Sequence, residues 1–132
     1  MFFFKICKSL IKKYKIKKKN VIGHSDIAPL RKIDPGEKFP WEKLANKGLG
    51  IWHCLESHNL RENRKVKIKS KKDKINFIKN LKKVGYDVRS YNKKSVFCGI
   101  TKAFQRHYRK ELINGNLDRE CFLIAKNLAK KV

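Results

Sequence analysis

Two side chains of kinds that bind metal ions lie in the stretch of sequence that contains all three prolines. His24 carries an imidazole nitrogen and Asp34 carries a carboxylate, and both groups are ordinary ligands of Zn²⁺. Lys32 lies two residues before Asp34, so in an extended segment these two side chains point to the same side of the chain. The residue types therefore make a metal site one interpretation of this stretch.

The elements that must position these side chains are predicted from residues 21–36. Residues 21–22 are β-branched and predict the end of a short buried strand, which Gly23 interrupts so that His24 lies at its exit. Proline fixes φ at two points, and the Pro-Gly pair directly after Asp34 indicates a turn. On spacing alone two other interpretations stay open. His24 is then a packed or capped histidine, and Asp34 is a turn residue.

Longer strings of residues carry more information than the two ligands alone. The sequence runs G-H-S-D-I-A-P at residues 23–29, R-K-I-D-P-G at 31–36 and F-P-W at 39–41. Together these strings resemble the zinc-dependent N-acetylmuramoyl-L-alanine amidases of the AmpD-like type, whose fold is a mixed sheet flanked by helices. A helix such as the one that apolar periodicity predicts for residues 2–14 precedes the G-H string in that family.

The resemblance implies a role for each candidate site residue. His24 and Asp34 are expected to be two of three protein ligands of Zn²⁺, and Lys32 is expected to stabilise the oxyanion of the tetrahedral intermediate. Arg31 is expected either to attract the carboxylates of a muropeptide or to be a solvated surface residue. The reaction implied is hydrolysis of the amide between N-acetylmuramic acid and L-alanine in peptidoglycan or muropeptides.

Residues 1–56 are expected to form the C-terminal part of such a catalytic domain, with a strand at 51–52. No residue here matches the family's first zinc-binding histidine or the acidic residue that helps to activate water. We therefore expect a truncated or split gene product. An upstream-encoded fragment is a candidate partner that supplies the missing half, and the chain alone is expected to have little or no activity. The fold class predicted for this part is α/β.

The rest of the chain predicts a linker and a small all-α domain. Residues 57–73 are almost wholly polar and are expected to be a solvated linker. Residues 74–132 regain helical periodicity and predict three short helices around one core, with Asp118 as the N-cap of the third. The string A-F-Q-R-H-Y-R at 103–109 resembles the peptidoglycan-binding three-helix domain. Within it the aromatic residues are expected in the core, whereas the side chains of Gln105, Arg106 and Arg109 are expected to be freer to contact a ligand.

Composition favours anionic partners without identifying one. The chain has 132 residues with 35 Lys and Arg against 11 Asp and Glu, a formal net charge of +24. Such a charge suits nucleic acid, anionic lipid or acidic wall polymer. However, the lysines are spread along the whole chain with Asn and Ile, as a biased genome composition would give. No nucleic-acid signature interleaves aromatic residues with them. Three functions are therefore weighed: a wall amidase, a non-catalytic peptidoglycan-binding protein, and a basic protein held on nucleic acid by charge.

Cysteine usage and hydropathy say little about the compartment. The four cysteines form no C-x-x-C pair, and the cluster of His53, Cys54 and His58 is best explained as linker residues. No stretch reaches transmembrane length, and the N-terminus lacks the continuous apolar core of a signal peptide. We expect the cell envelope or periplasm if an export signal is supplied upstream, and the cytoplasm otherwise.

Overall fold

The computed structural model describes residues 2–132, and helices dominate it. Within those residues, the one β pairing is an isolated antiparallel bridge between Lys67 and Asp118. None of the helices described combines the length and the apolar character that crossing a membrane requires. The helices are α1 (Phe2–Tyr14), a 3₁₀ turn (Lys18–Asn20), α2 (His24–Ile27), α3 (Trp41–Asn46), α4 (Ser57–Asn63), α5 (Lys71–Val84), α6 (Lys94–Tyr108) and α7 (Arg119–Ala129).

The predicted mixed α/β sheet is wrong for this chain. Residues 21–22 and 51–52, for which strands were predicted, have no helical or strand hydrogen-bonding pattern. A strand persists when a neighbouring strand accepts and donates its backbone hydrogen bonds. No segment within residues 2–132 forms such a ladder with either stretch. A β-branched composition therefore marks where a strand could form, but it does not supply the partner.

Helices α5, α6 and α7 lie where the periodicity of residues 74–132 predicts helices, and they surround the main hydrophobic core. Gly85, at φ 115°, ends α5 in the left-handed region that glycine adopts without strain. Asp118 is the N-cap of α7, because its carboxylate accepts the backbone N–H of Cys121 at 2.9 Å. The core side chains that are at most 1% exposed include Phe77, Leu81, Ile100, Phe104, Ile124 and Leu128.

The polar segment 57–73 packs against this core instead of spanning solvent. Its first residues form α4, whose Leu60 is buried in the core cluster. The Arg64 guanidinium donates to both carboxylate oxygens of Glu120, at 2.7 and 3.0 Å. The N–H of Ile68 also donates to the carbonyl of Leu117 at 2.9 Å. The sequence prediction of a solvated linker did not include this packing, because Glu120 lies 56 positions away from Arg64 in the sequence.

Two residues expected to face a ligand are structural instead. Arg109 is 1% exposed, and its Nη1 lies 2.7 Å from Asp118 Oδ2 and 3.2 Å from Glu120 Oε2. Gln105 is fully buried, and its side-chain oxygen accepts the backbone N–H groups of residues 114–115 at 3.0 and 2.8 Å. Both side chains therefore stabilise the turn between α6 and α7. They are not available to a soluble ligand.

Helix α1 forms as predicted, but none of its side chains is buried. Its contacts with the rest of the chain include an edge-on pair between Phe3 and Phe39, with ring centroids 5.8 Å apart. Lys47 also lies over the Phe4 ring, 5.1 Å from its centroid. The large apolar side chains that α1 leaves exposed are Phe2, Phe3, Ile6, Leu10 and Tyr14.

Truncating a core phenylalanine tests this packing. Phe104 is 0% exposed and meets Phe77 edge-on, with centroids 5.4 Å apart. Phe104→Ala should lower the free energy of unfolding by about 3–5 kcal/mol, because it removes buried apolar surface and leaves a cavity. Phe2→Ala is the matched control: Phe2 is 81% exposed, so its loss should change stability by less than about 0.5 kcal/mol. Urea titration followed by helical circular dichroism measures both, and equal effects would contradict the core assignment.

Removing one charge from the buried ionic cluster tests its coupling. Glu120→Gln keeps the side-chain volume but leaves Arg64 and Arg109 with one carboxylate fewer. Removing one member of a buried ion pair leaves the other charge without a partner, so the free energy of unfolding should fall by about 3 kcal/mol. Glu37→Gln, at an exposed position, should change it by less than about 0.5 kcal/mol. The same urea titration reports the difference. If Glu120→Gln leaves the free energy of unfolding unchanged, the ionic cluster does not stabilise the fold.

Candidate metal centre

The two predicted zinc ligands are brought together at the surface. Nδ1 of His24 lies 3.1 Å from Oδ2 of Asp34, and their side chains are 45% and 63% exposed. The backbone supports the approach, because the N–H of Ser25 donates to the carbonyl of Asp34 at 3.0 Å. Among residues 2–132, no group of three or more His, Cys, Asp or Glu side chains is placed to hold a metal ion. The pair is therefore an open arrangement of two donors.

The loop between the ligands turns the chain back on itself. Helix α2 is short, and the carbonyl of Ala28 accepts the N–H groups of both Arg31 and Lys32 at 3.0 Å. The predicted turn after Asp34 forms, with a cis peptide bond to Pro35. This double reversal returns Asp34 to the start of α2, where His24 lies.

The two basic candidates of this loop are placed differently. The side chain of Lys32 is exposed and forms no ion pair within residues 2–132. Arg31 lines a groove of about 480 Å³ together with Asp87 and Arg89, and neither His24 nor Asp34 lines that groove. The Arg89 side chain donates to Asp87 and lowers the pKa of this carboxyl to about 2, and the charge of Arg31 acts in the same direction. The structure thus separates Arg31 from the His24–Asp34 pair.

Two functional candidates escaped the sequence analysis: Asp26 and His107. Oδ2 of Asp26 accepts the backbone N–H of Gly23 at 2.8 Å, and Nδ1 of His107 lies 2.8 Å from the same oxygen. The two side chains are 2% and 4% exposed. The rings of Trp41 and Tyr108 stack on the His107 imidazole, with centroids 4.0 and 3.9 Å away. Asp26 is part of the G-H-S-D-I-A-P motif, but nothing in a single sequence connects it to His107, which lies 81 positions away.

The side chains of His53, Cys54 and His58 do not all line one cavity. His53 stacks on Trp52, with ring centroids 5.1 Å apart, and burial followed by the nearby charge of Lys131 lowers its pKa below the ordinary value. His53 and Cys54 line a cavity of about 720 Å³ into which the lysines of residues 17–19 and Lys131 also project. His58 is exposed on α4 and is not in the lining of this cavity.

Comparison with known sequences connects this geometry to a class of enzymes. No family model matches the chain. The chain is similar to N-acetylmuramoyl-L-alanine amidase AmiD of Escherichia coli K12, at 36% identity over 126 residues, which are 96% of this chain and 45% of AmiD. A shorter segment is 54% identical over 35 residues to 1,6-anhydro-N-acetylmuramyl-L-alanine amidase AmpD of Haemophilus influenzae, covering 26% of this chain and 19% of AmpD.

Solved structures show the same likeness in three dimensions. E. coli AmiD, in complex with the substrate anhydro-N-acetylmuramic acid-L-Ala-D-gamma-Glu-L-Lys, superposes with a TM-score of 0.83 at 33% identity, over 98% of this chain and 50% of that one. AmpDh3 of Pseudomonas aeruginosa superposes with a TM-score of 0.81 at 29% identity, over 98% of this chain and 51% of that one.

The chain thus spans about half the length of AmiD and of AmpDh3, which it matches over at least 96% of its own residues. The identity and the superposition cover the loop with His24 and Asp34 as well as the helices that pack behind it. Over most of its length, this chain is homologous to the AmpD/AmiD-like N-acetylmuramoyl-L-alanine amidases.

Proposed function

We propose that this chain is part of a zinc-dependent N-acetylmuramoyl-L-alanine amidase, which hydrolyses the amide between N-acetylmuramic acid and L-alanine in peptidoglycan or muropeptides. The observation that carries the proposal is the 3.1 Å approach of His24 to Asp34 in a chain homologous to such amidases. The muropeptide in the AmiD complex supports the substrate class. The alternative of a non-catalytic peptidoglycan-binding protein is less favoured, because the relatives are named as amidases.

The donors at this site fit two positions of a zinc centre. An imidazole nitrogen and a carboxylate oxygen are suitable ligands, and the exposure of both side chains leaves room for further ligands. When bound, Zn²⁺ polarises a carbonyl group and lowers the pKa of water. A catalytic zinc site takes three protein ligands. Because residues 2–132 offer two at this place, the third is proposed to come from outside the described residues.

Lys32 and Arg31 are proposed to act on the substrate. The Lys32 ammonium lies two residues before Asp34 and forms no ion pair within the chain that the structure describes, so it can approach a carbonyl oxygen that gains negative charge. Arg31 carries a planar guanidinium that suits a carboxylate of the peptide stem. Its place in a separate groove fits contact with the peptide and not with the scissile amide.

The remaining half of the enzyme is proposed to dock on helix α1. This half, which corresponds to the part of the relatives' length that the chain does not cover, is proposed to be supplied by a further segment or by a separate, upstream-encoded polypeptide. The exposed apolar side chains of α1, Phe3, Ile6 and Leu10 among them, offer the surface that such a half would cover. With a third ligand and an acidic group supplied in this way, His24 and Asp34 would belong to a complete site.

The helices of residues 74–132 are proposed to hold the wall polymer. A binding module next to a hydrolytic site raises the local concentration of its polymer substrate. Since Gln105 and Arg109 are buried, contact with the polymer would fall to other side chains of this module. We place the protein in the cell envelope or periplasm if an export signal is supplied upstream, and in the cytoplasm otherwise.

Hydrolysis assays with and without the complementary half test this function. With Zn²⁺ and the AmiD substrate, residues 1–132 alone should be at least about 100-fold slower than AmiD, because we expect no residue of this chain to supply the acidic group that assists water. Adding the part of AmiD that this chain does not match should raise the rate. Asp34→Ala should abolish the gain, and Glu37→Gln should not. Separation of the products by chromatography measures each rate. A gain that survives Asp34→Ala would contradict the assignment of the site.

A further inference from the structure

We propose that Asp26 and His107 are positioning residues, whose buried contact fixes residues 23–34 against helix α6 and thereby sets the separation of His24 and Asp34. The geometric part rests on hydrogen bonds and packing contacts within the chain. Its consequence for zinc rests on the proposed function.

Asp26 links the loop to the backbone beside the first ligand. It is the third residue of α2, and its Oδ2 accepts the N–H of Gly23, the residue directly before His24. The carbonyl of Asp26 also accepts the N–H of Asp87 at 3.3 Å, so the loop after α5 holds the same residue. A shift of Asp26 would therefore move the start of α2 and His24 with it.

His107 supplies the contact from α6. The ring is held by stacking with Trp41 and Tyr108, and its Nδ1 faces the Asp26 carboxylate at 2.8 Å. A carboxylate buried without a partner is costly, and Asp26 is 1% exposed. The contacts of its Oδ2 with His107 and with the N–H of Gly23 offset part of that cost, whereas its Oδ1 has no hydrogen-bond partner within residues 2–132. Burial, and next the charge of Asp26, raise the pKa of Tyr108 well above its ordinary value.

Gly23 packs tightly against Pro35 and against Trp41, which also stacks on His107. A Cβ atom on Gly23 would lie 2.9 Å from Pro35 Cδ and 3.1 Å from Trp41 Cζ2, so no larger residue fits without movement. Because Pro35 directly follows Asp34, this contact places the residue before His24 beside the residue after Asp34. The loop between the ligands also rests on α6, because a Cβ on Gly99 would lie 2.6 Å from Leu30 Cδ2.

Helix α6 therefore contacts the loop of residues 23–34 at two places. Leu30 meets Gly99, and Asp26 meets His107 two helical turns further along. The first contact involves Leu30, which is exposed. The second contact is polar and buried, and the only other partner of Asp26 Oδ2 within residues 2–132 is the N–H of Gly23. We therefore assign the setting of the ligand separation to the second.

Two substitutions at position 107 separate hydrogen bonding from ring stacking. His107→Phe keeps an aromatic ring beside Trp41 and Tyr108 but removes the group that faces Asp26. His107→Asn loses the ring but places an amide nitrogen near the position of Nδ1, where it can donate to Asp26. Lys110→Ala, at an exposed position just after α6, is the control.

Amide hydrogen exchange, resolved by NMR on the full chain, provides the geometric readout. The amides of interest are Gly23, which donates to Asp26, and Ser25, which donates to Asp34. His107→Phe should speed their exchange about tenfold or more, because it removes a buried hydrogen bond to a charged group. His107→Asn should restore much of the protection. The amide of Ile124 in α7 should be unchanged in all variants, which shows that the core remains folded.

Zinc titration, followed through the amide shifts of residues 23–34, provides the functional readout. His107→Phe should weaken the apparent affinity for Zn²⁺, and His107→Asn should weaken it less. Unchanged exchange at Gly23 and Ser25 in His107→Phe would overturn the proposal, and so would faster exchange in His107→Asn than in His107→Phe. If the wild-type chain shows no response to Zn²⁺ while exchange behaves as expected, the positioning role stands and the zinc proposal fails.

Discussion

A carboxylate that leaves water must find partners, and this constraint organises the ligand-bearing end of the molecule. The Oδ2 atom of Asp26 finds them in the N–H of Gly23 and the imidazole of His107, which are far apart in the sequence, whereas its Oδ1 has no hydrogen-bond partner within residues 2–132. One buried oxygen thereby connects the loop with His24 and Asp34 to the helix behind it. On the positioning role that we propose, the exposed pair of His24 and Asp34 depends on contacts that are shielded from solvent. This is the usual arrangement for a site whose first ligands must stay accessible while their supports stay fixed.

The same physical rule operates at the other end of the helical core. Arg109 is buried between Asp118 and Glu120, and Glu120 also receives both donors of Arg64. These charges join α4, the turn after α6 and the start of α7. Apolar packing around Phe104 stabilises the helices, and the buried ionic groups fix how the connecting segments lie on them. The chain has 11 Asp and Glu residues, and the carboxylates of Asp26, Asp118 and Glu120 are buried in such contacts.

Local features of the sequence predicted local structure well. The apolar periodicity located α1, α5, α6 and α7, the residue type at Asp118 indicated its N-cap, and the turn after Asp34 formed where Pro and Gly indicated it. The strands at 21–22 and 51–52 could not be decided locally, because a strand depends on a partner and these residues have none within the described chain. For the same reason, the packing of residues 57–73 through Arg64, the burial of Arg109 and the contact of His107 with Asp26 were not predicted. Each is explained by a carboxylate that is distant in sequence or belongs to another element, and one sequence carries no signal for such pairs.

The central claim is that His24 and Asp34 together hold a zinc ion. Nitrogen-15 NMR of the four histidine rings during addition of Zn²⁺ tests it most directly, since His53, His58 and His107 serve as internal references. We predict that the ring resonances of His24 shift and that Asp34→Ala removes the shift, while the other three rings respond little. Zinc-dependent shifts at His53 and His58 with an unchanged His24 would contradict the account.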